Sequence, residues 1–214
     1  MPLTKIKSLG ITDGTIVNAD INASAGIDST KISGLSSDYV LLQTVTASSS
    51  ASVSWNSSYI TSTYPIYKLF VINAVPATDT AEPEIGLSTN NLTNIANFDQ
   101  RSMGFRAIVD DGGTNLLDQP SQLEQTDTAY TSISDGVGNA TGEAFSSEIT
   151  FYNLSGTTVH KYWTSWGVNG HSNDYSGIQA MGAHIFTTSA VNGLAFRFST
   201  GNISSGIFKL YGVK

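Results

Sequence analysis

The side chains best suited to chemistry in this 214-residue sequence are three histidines, a scatter of carboxylates and one aromatic cluster. His171 lies in Gly170-His-Ser-Asn-Asp174-Tyr, which reads as a loop. His171 and Asp174 could share a metal ion, but two ligands at an unspecific spacing do not make a site, and no metal is assigned. His160 and His184 fall in predicted strands, flanked by Val159 and Lys161 and by Ala183 and Ile185. They read as hydrogen-bonded strand histidines at a surface or interface. Asp110-Asp111-Gly112-Gly113-Thr114-Asn115 begins as a calcium loop would, but lacks the alternating acidic positions and the terminal bidentate Glu. A hairpin turn accounts for it. Glu82, Glu84, Glu124, Glu143 and Glu148 could supply a carboxylate pair for glycoside hydrolysis. Such a pair must lie ~5–9.5 Å apart across a cleft, which spacing in sequence does not establish. There is no Gly-x-Ser-x-Gly elbow, His-Glu-x-x-His helix, phosphate loop or dinucleotide fingerprint. No catalytic residue and no cofactor is assigned, and the chain is read as non-enzymatic.

The aromatic cluster Tyr152, Tyr162, Trp163, Trp166 and Tyr175 carries more information. Aromatic faces stack on sugar C–H surfaces, and Tyr and Trp are enriched at binding surfaces. In a strand, Tyr162 and Trp166 share one face while Trp163 points to the other. One face is then core or subunit interface, and the other is open to recognition. Trp163, Trp166, His171, Asp174 and Tyr175 are the candidate receptor contacts.

The elements that must position these residues are strands. Alternating or continuous runs of β-formers predict Val40–Thr46, Ser52–Trp55, Tyr67–Asn73, Glu84–Ser88, Gly104–Val109, Glu143–Tyr152, Val159–Trp166, Gly182–Thr187, Leu194–Ser199 and Gly206–Val213. Tyr67–Asn73 is apolar on both faces and reads as central. Turn signals separate the runs, among them Asp110-Asp111-Gly112-Gly113, Asp135-Gly136, Val191-Asn192-Gly193 and Thr200-Gly201-Asn202. No amphipathic helix emerges. The longest irregular stretch, Asp111–Gly142, is polar, and a loop of that length is functional or mobile. About ten strands punctuated in this way predict an all-β protein, a jelly-roll-like β-sandwich over residues 37–214.

Composition narrows the function classes. Apolar content of 40% suits a folded domain, and charged content of 13% is about half the usual ~25%. Ser, Thr, Asn and Gly fill the difference. The net charge of −7 speaks against nucleic-acid binding, which needs a basic stripe to displace counterions. No run approaches the ~20 apolar residues of a membrane span, and Met1-Pro-Leu-Thr-Lys-Ile has no signal-peptide apolar region. Synthesis in a cytosol without membrane insertion is the expectation. The chain has no cysteine, so disulfides and thiolate chemistry are excluded. Without disulfides, oligomerisation is the usual alternative source of stability.

Residues 1–36 follow a different rule. Ile11, Ile16, Ile21, Ile27 and Ile32 recur in steps of five, five, six and five, which is neither the helical nor the strand period. Between them lie Gly, Asn, Asp, Ser and Thr, which favour turns. Alone, such a segment cannot bury its isoleucines, and ordering it costs roughly 1–2 kcal/mol per residue. It becomes stable if copies wind around one another or if it docks on another protein. These five isoleucines are the candidate self-association or docking residues of an extended N-terminal segment.

Two stretches resemble a known group. Ile11-Thr-Asp-Gly-Thr-Ile-Val-Asn-Ala-Asp-Ile-Asn-Ala-Ser-Ala-Gly-Ile27, continuing to Thr30-Lys-Ile-Ser-Gly-Leu35, resembles the repeat motif of bacteriophage tail-fibre and virion structural proteins. The closing Gly201-Asn-Ile-Ser-Ser-Gly-Ile-Phe-Lys-Leu-Tyr-Gly-Val-Lys214 is similar to the final strand of virion proteins from marine and cyanobacterial phages. The resemblance implies a virion-attached homo-oligomer, commonly a trimer, assembled in the host cytoplasm. Its N-terminal segment would attach to other tail or capsid proteins. Its C-terminal sandwich would be a knob that meets a host surface glycan or protein. A short fibre is the expectation, with a head or tail decoration protein and a glycan depolymerase as alternatives.

Overall fold

The computed structural model describes residues 21–22, 24–26, 37–110, 112–113, 115–120, 125–126 and 128–214. The chain divides into two units, Met1–Ser37 and Asp38–Lys214. Of the five spaced isoleucines, Ile11, Ile16, Ile27 and Ile32 lie outside the described residues. Ile21 is described and is 39% exposed. It precedes a short turn in which the Asn22 side chain accepts the Ser24 N–H at 2.8 Å and the Asn22 carbonyl accepts the Ala25 N–H at 2.8 Å. Asn here uses its side chain to mimic the backbone of a turn.

The second unit is all-β among its described residues. Its strands are β1 (Tyr39–Ser50), β2 (Val53–Trp55), β3 (Ile66–Pro76), β4 (Pro83–Ser88), β5 (Gln100–Asp110), β6 (Asn115–Asp118), β7 (Tyr130–Ser132), β8 (Phe145–Tyr152), β9 (Lys161–His171), β10 (Tyr175–Ile185), β11 (Gly193–Phe198) and β12 (Ile203–Val213). They form an eight-stranded sheet in the order β1-β12-β3-β8-β9-β10-β5-β6 and a four-stranded sheet in the order β2-β11-β4-β7. Every pairing is antiparallel.

The topology is that of a jelly roll with two insertions. First meets last in the large sheet (β1 with β12), then β2 meets β11 in the small sheet. The alternation continues with β3 on β8 and β4 on β7. These eight strands wrap as two Greek keys. The hairpin β5–β6 is inserted between β4 and β7, and the hairpin β9–β10 between β8 and β11. Both insertions extend the large sheet on the same side, past β8.

Alternation of side chains dictates which residues become core. Tyr67, Leu69 and Val71 of β3, Ile149 and Phe151 of β8, Trp163 of β9 and Phe208 and Leu210 of β12 face inward from the large sheet and are buried. Ile85, Leu87, Leu194, Phe196 and Phe198 are buried on the small sheet. Phe196 and Phe208 bring their ring centroids to 4.9 Å across the two layers. The central placement expected for Tyr67–Asn73 holds, since β3 is third of eight strands.

Two expectations are corrected. The stretch Asp111–Gly142 is not irregular throughout, because β6 and β7 lie within it. Asn115–Asp118 is an exposed edge strand, and Tyr130–Ser132 is too short for its alternation to show. The second concerns β10, which begins at Tyr175, seven residues before the run predicted from Gly182. Its first half, Tyr-Ser-Gly-Ile-Gln-Ala-Met, is too polar to read as a strand, yet β5 and β9 pair with it along its whole length.

Candidate functional site

The five candidate receptor contacts separate into three environments. Trp163 is 2% exposed in the core, so it is withdrawn as a surface contact. The parity argument that set it opposite Tyr162 and Trp166 holds, and the buried face is the one Trp163 occupies. Trp166 stands on the outer face of the large sheet and is 60% exposed. His171, Asp174 and Tyr175 come together at the tip of the β9–β10 hairpin, where His171 pairs with Tyr175 in the ladder.

The hairpin tip is a three-residue turn, Ser172–Asp174. The Asp174 N–H donates to the His171 carbonyl at 3.1 Å, and Asp174 takes φ 55°. Asp tolerates this left-handed conformation better than most residues. The turn brings the His171 ring onto Tyr175, with centroids 4.2 Å apart and planes 15° from parallel. His171 Nδ1 accepts the Asn173 N–H at 3.1 Å, which fixes it as the unprotonated nitrogen. Burial lowers the His171 pKa, partly opposed by the carboxylate of Asp135. The imidazole is therefore held neutral. Beside it opens a polar groove of about 330 Å³, lined by Asp110, Glu143, His171, Asp174, Tyr175 and Ser176 among others.

Beneath the groove lies a buried polar network that the sequence reading missed. Asp135 is 2% exposed. Its Oδ1 accepts Gln179 Nε2 at 2.9 Å and Asn169 Nδ2 at 3.1 Å. Its Oδ2 accepts the Tyr175 hydroxyl at 3.0 Å and pairs with Arg106 Nη1. Arg106 also holds Asp118 in bidentate fashion, at 2.8 and 3.1 Å. The register explains the assembly: Gln179 is paired with Arg106, and Arg106 with Asp118, so all three share the inner face of the sheet. Asn169 adds a bond to the Gly136 carbonyl at 2.9 Å, pinning the segment after β7 across the sheet. Bonds to Asp118 and Asp135 raise the Arg106 pKa. Burial and then the Asp135 carboxylate push the Tyr175 hydroxyl up to about 12. One sequence signal pointed here. Within β5, Met103, Phe105, Ala107 and Val109 share a parity opposite to Arg106, so either the charge or the apolar set had to face inward.

The remaining candidates are engaged in structural contacts. His160 Nδ1 and His184 Nε2 share a hydrogen bond at 2.9 Å, and Tyr162 stacks on His184 at 4.7 Å. His184 lies in β10 as expected, whereas His160 precedes β9, which begins at Lys161. Of the carboxylates, Glu84 pairs with Arg197 at 2.7 Å and Glu148 with Lys68. Glu82 accepts the Ser132 hydroxyl at 2.5 Å, and Glu143 accepts the Ala140 N–H at 2.6 Å. Glu124 lies outside the described residues. Asp110 opens a hairpin turn, its carbonyl accepting the Gly113 N–H at 3.0 Å with Gly113 at φ 77°. Among the described residues no three His, Asp or Glu side chains gather as metal ligands.

No family model matches the chain, and no curated protein matches it significantly.

Proposed function

We propose that this chain is a fibre-type structural subunit of a phage virion, anchored by its N-terminal segment and presenting its jelly-roll unit as a knob to the bacterial surface. The observation that carries this reading is the joining of two unlike parts. The sequence of residues 1–36 spaces its isoleucines at neither the helical nor the strand period, whereas the described residues of 38–214 form a two-sheet body with its own core. The resemblance of the isoleucine motif to virion proteins supplies the class. The groove at the β9–β10 tip supports a recognition role. It offers a neutral imidazole, a tyrosine face and carboxylates within one open concavity, groups that bond to sugar hydroxyls and stack on sugar rings. Weak contacts from several knobs on a repetitive surface gain avidity without a tight single site.

The test is adhesion. Purified full-length protein should bind host cells and block infection, and His171→Ala with Asp174→Ala should reduce both. Protein that does neither is a decoration subunit, and release of polysaccharide fragments would identify a depolymerase instead. The anchoring segment is tested separately. Ile16→Asp with Ile21→Asp should abolish self-association through that segment or its incorporation into particles. Unchanged mass together with normal incorporation would overturn its assignment.

A further inference from the structure

The outer face of the large sheet has no layer on it within the described unit, and its side chains are those of a core. The register gives its rows. One row runs Phe70, Glu148, Trp166, Ala180, Phe105 across β3, β8, β9, β10 and β5. The next runs Ser146, Val168, Ile178, Ala107, Leu117, and on the other side lie Thr150, Thr164, Gly182 and Met103. Met103, Phe105, Tyr162, Trp166, Val168 and Ile178 are all exposed. With Val109 and Leu117 they make eight large hydrophobic residues, each 44–71% exposed, enough for the apolar centre of a standard interface of about 20–30 residues a side.

The relief of this face is a knob beside two holes. Trp166 stands 60% exposed between a trough of about 420 Å³, lined by Met103, Gly104, Phe105, Thr164, Ala180 and Gly182, and one of about 520 Å³, lined by Phe70, Glu148, Trp166, Val168 and Ile178. Glycine and alanine make the first trough. Each has more volume than an indole fills.

We propose that this face is the seam between copies of the knob, with Trp166 of one copy seated in the Ala180–Gly182 trough of the next. This rests on the fibre reading, which makes the closed ring a trimer. A second copy is the occupant because of charge. The protein carries −7, so identical copies repel unless they meet through neutral surface. From Met103 to Val109, Thr164 to Val168 and Ser176 to Gly182, the outward side chains include no ionisable group. Glu148, beside Trp166 in the same row, is paired with Lys68 on the same face. A knob and a hole side by side on one face can meet reciprocally as a twofold pair, or unreciprocated as a head-to-tail contact that closes into a ring when the rotation allows. The fibre reading selects the ring. Trp166 is thereby a subunit contact, and host recognition falls to the hairpin-tip groove.

The experiment uses full-length protein and two readouts, solution mass and tryptophan emission. Trp55 and Trp163 are buried at 0% and 2%, so Trp166 alone among the three tryptophans changes environment on association. Wild type should be oligomeric at micromolar concentration, with emission that shifts to the red on dilution. Trp166→Glu should weaken association at least ~30-fold, the loss typical of an interface hot spot. Gly182→Ala tests the hole without adding charge. A Cβ at Gly182 has its nearest neighbours at 3.5 and 3.7 Å, ordinary van der Waals contact, so the isolated fold accommodates it, and the variant should also associate more weakly. Oligomers of wild-type mass from both variants overturn the seam and leave the fibre reading intact. A wild-type monomer with quenchable Trp166 overturns both the seam and the trimer. A wild-type monomer with protected Trp166 overturns the seam in favour of cover by the chain's own N-terminal segment.

Discussion

Replacing Asp135 with alanine tests the buried network and, through it, the placement of the β9–β10 tip. The carboxylate is 2% exposed and receives four strong donors: Arg106, Tyr175, Gln179 and Asn169. Removing one member of a buried ion pair costs about 3–5 kcal/mol, because the partner charge stays buried without compensation. Arg106 keeps its bidentate contact with Asp118, which places the expected loss at the lower end, about 3 kcal/mol. For a unit of this size each kcal/mol moves the midpoint by about 2–4 °C, so Tm should fall by about 6–12 °C. The matched control is Asp118→Ala. Asp118 is bonded to the same guanidinium, but its side chain is 30% exposed, and its loss should cost no more than about 1 kcal/mol. Urea unfolding gives both values, and hydrogen exchange of Gly136 and Val137 reports whether the segment after β7 lifts. Equal losses for the two variants, or a loss under 1 kcal/mol for Asp135→Ala, would refute the argument that burial and convergence at Asp135 decide the energy.

Two further perturbations follow from geometry. The Tyr175 hydroxyl has its pKa raised from 10 to about 12, so the folded state holds a proton that the unfolded state releases. Its contribution is full below pH 10 and is lost as pH rises to about 12. The urea midpoint should therefore decline across that window in the wild type and decline less in Tyr175→Phe; parallel declines would contradict the assignment. Gly206 takes φ 152° at the irregularity in β12, and a Cβ there would approach Ala74 Cα to 2.9 Å. Gly206→Ala should cost about 1–3 kcal/mol in the same assay, and a neutral result would show that the strand can rebuild its register.

The sandwich was legible in the sequence because alternation is a local property. Leu194, Phe196 and Phe198, alternating with Ala195 and Arg197, announce an inward face without reference to any partner. What alternation does not reveal is which face of a two-sided strand another layer covers. In β5, the apolar parity Met103, Phe105, Val109 faces outward, and Arg106 faces the interior. That inversion is set by Asp135, 29 residues away, at a Asp135-Gly136 pair that has the composition of a surface turn. The first half of β10 was invisible for a related reason. Gly177 packs where a side chain would collide with Gln179 and Asn169, and Gln179 spends its polarity on a buried carboxylate. Residues chosen to satisfy a long-range network carry no short-range period. The same holds for the site: the sequence placed His171, Asp174 and Tyr175 in one loop, but it did not separate Trp163 from Trp166 by role until burial was known.

Self-association of the anchored knob is read from the mass of the full chain by light scattering at micromolar concentration. The expected mass is three times 22.6 kDa. A mass of 22.6 kDa, unchanged as concentration rises, would contradict it.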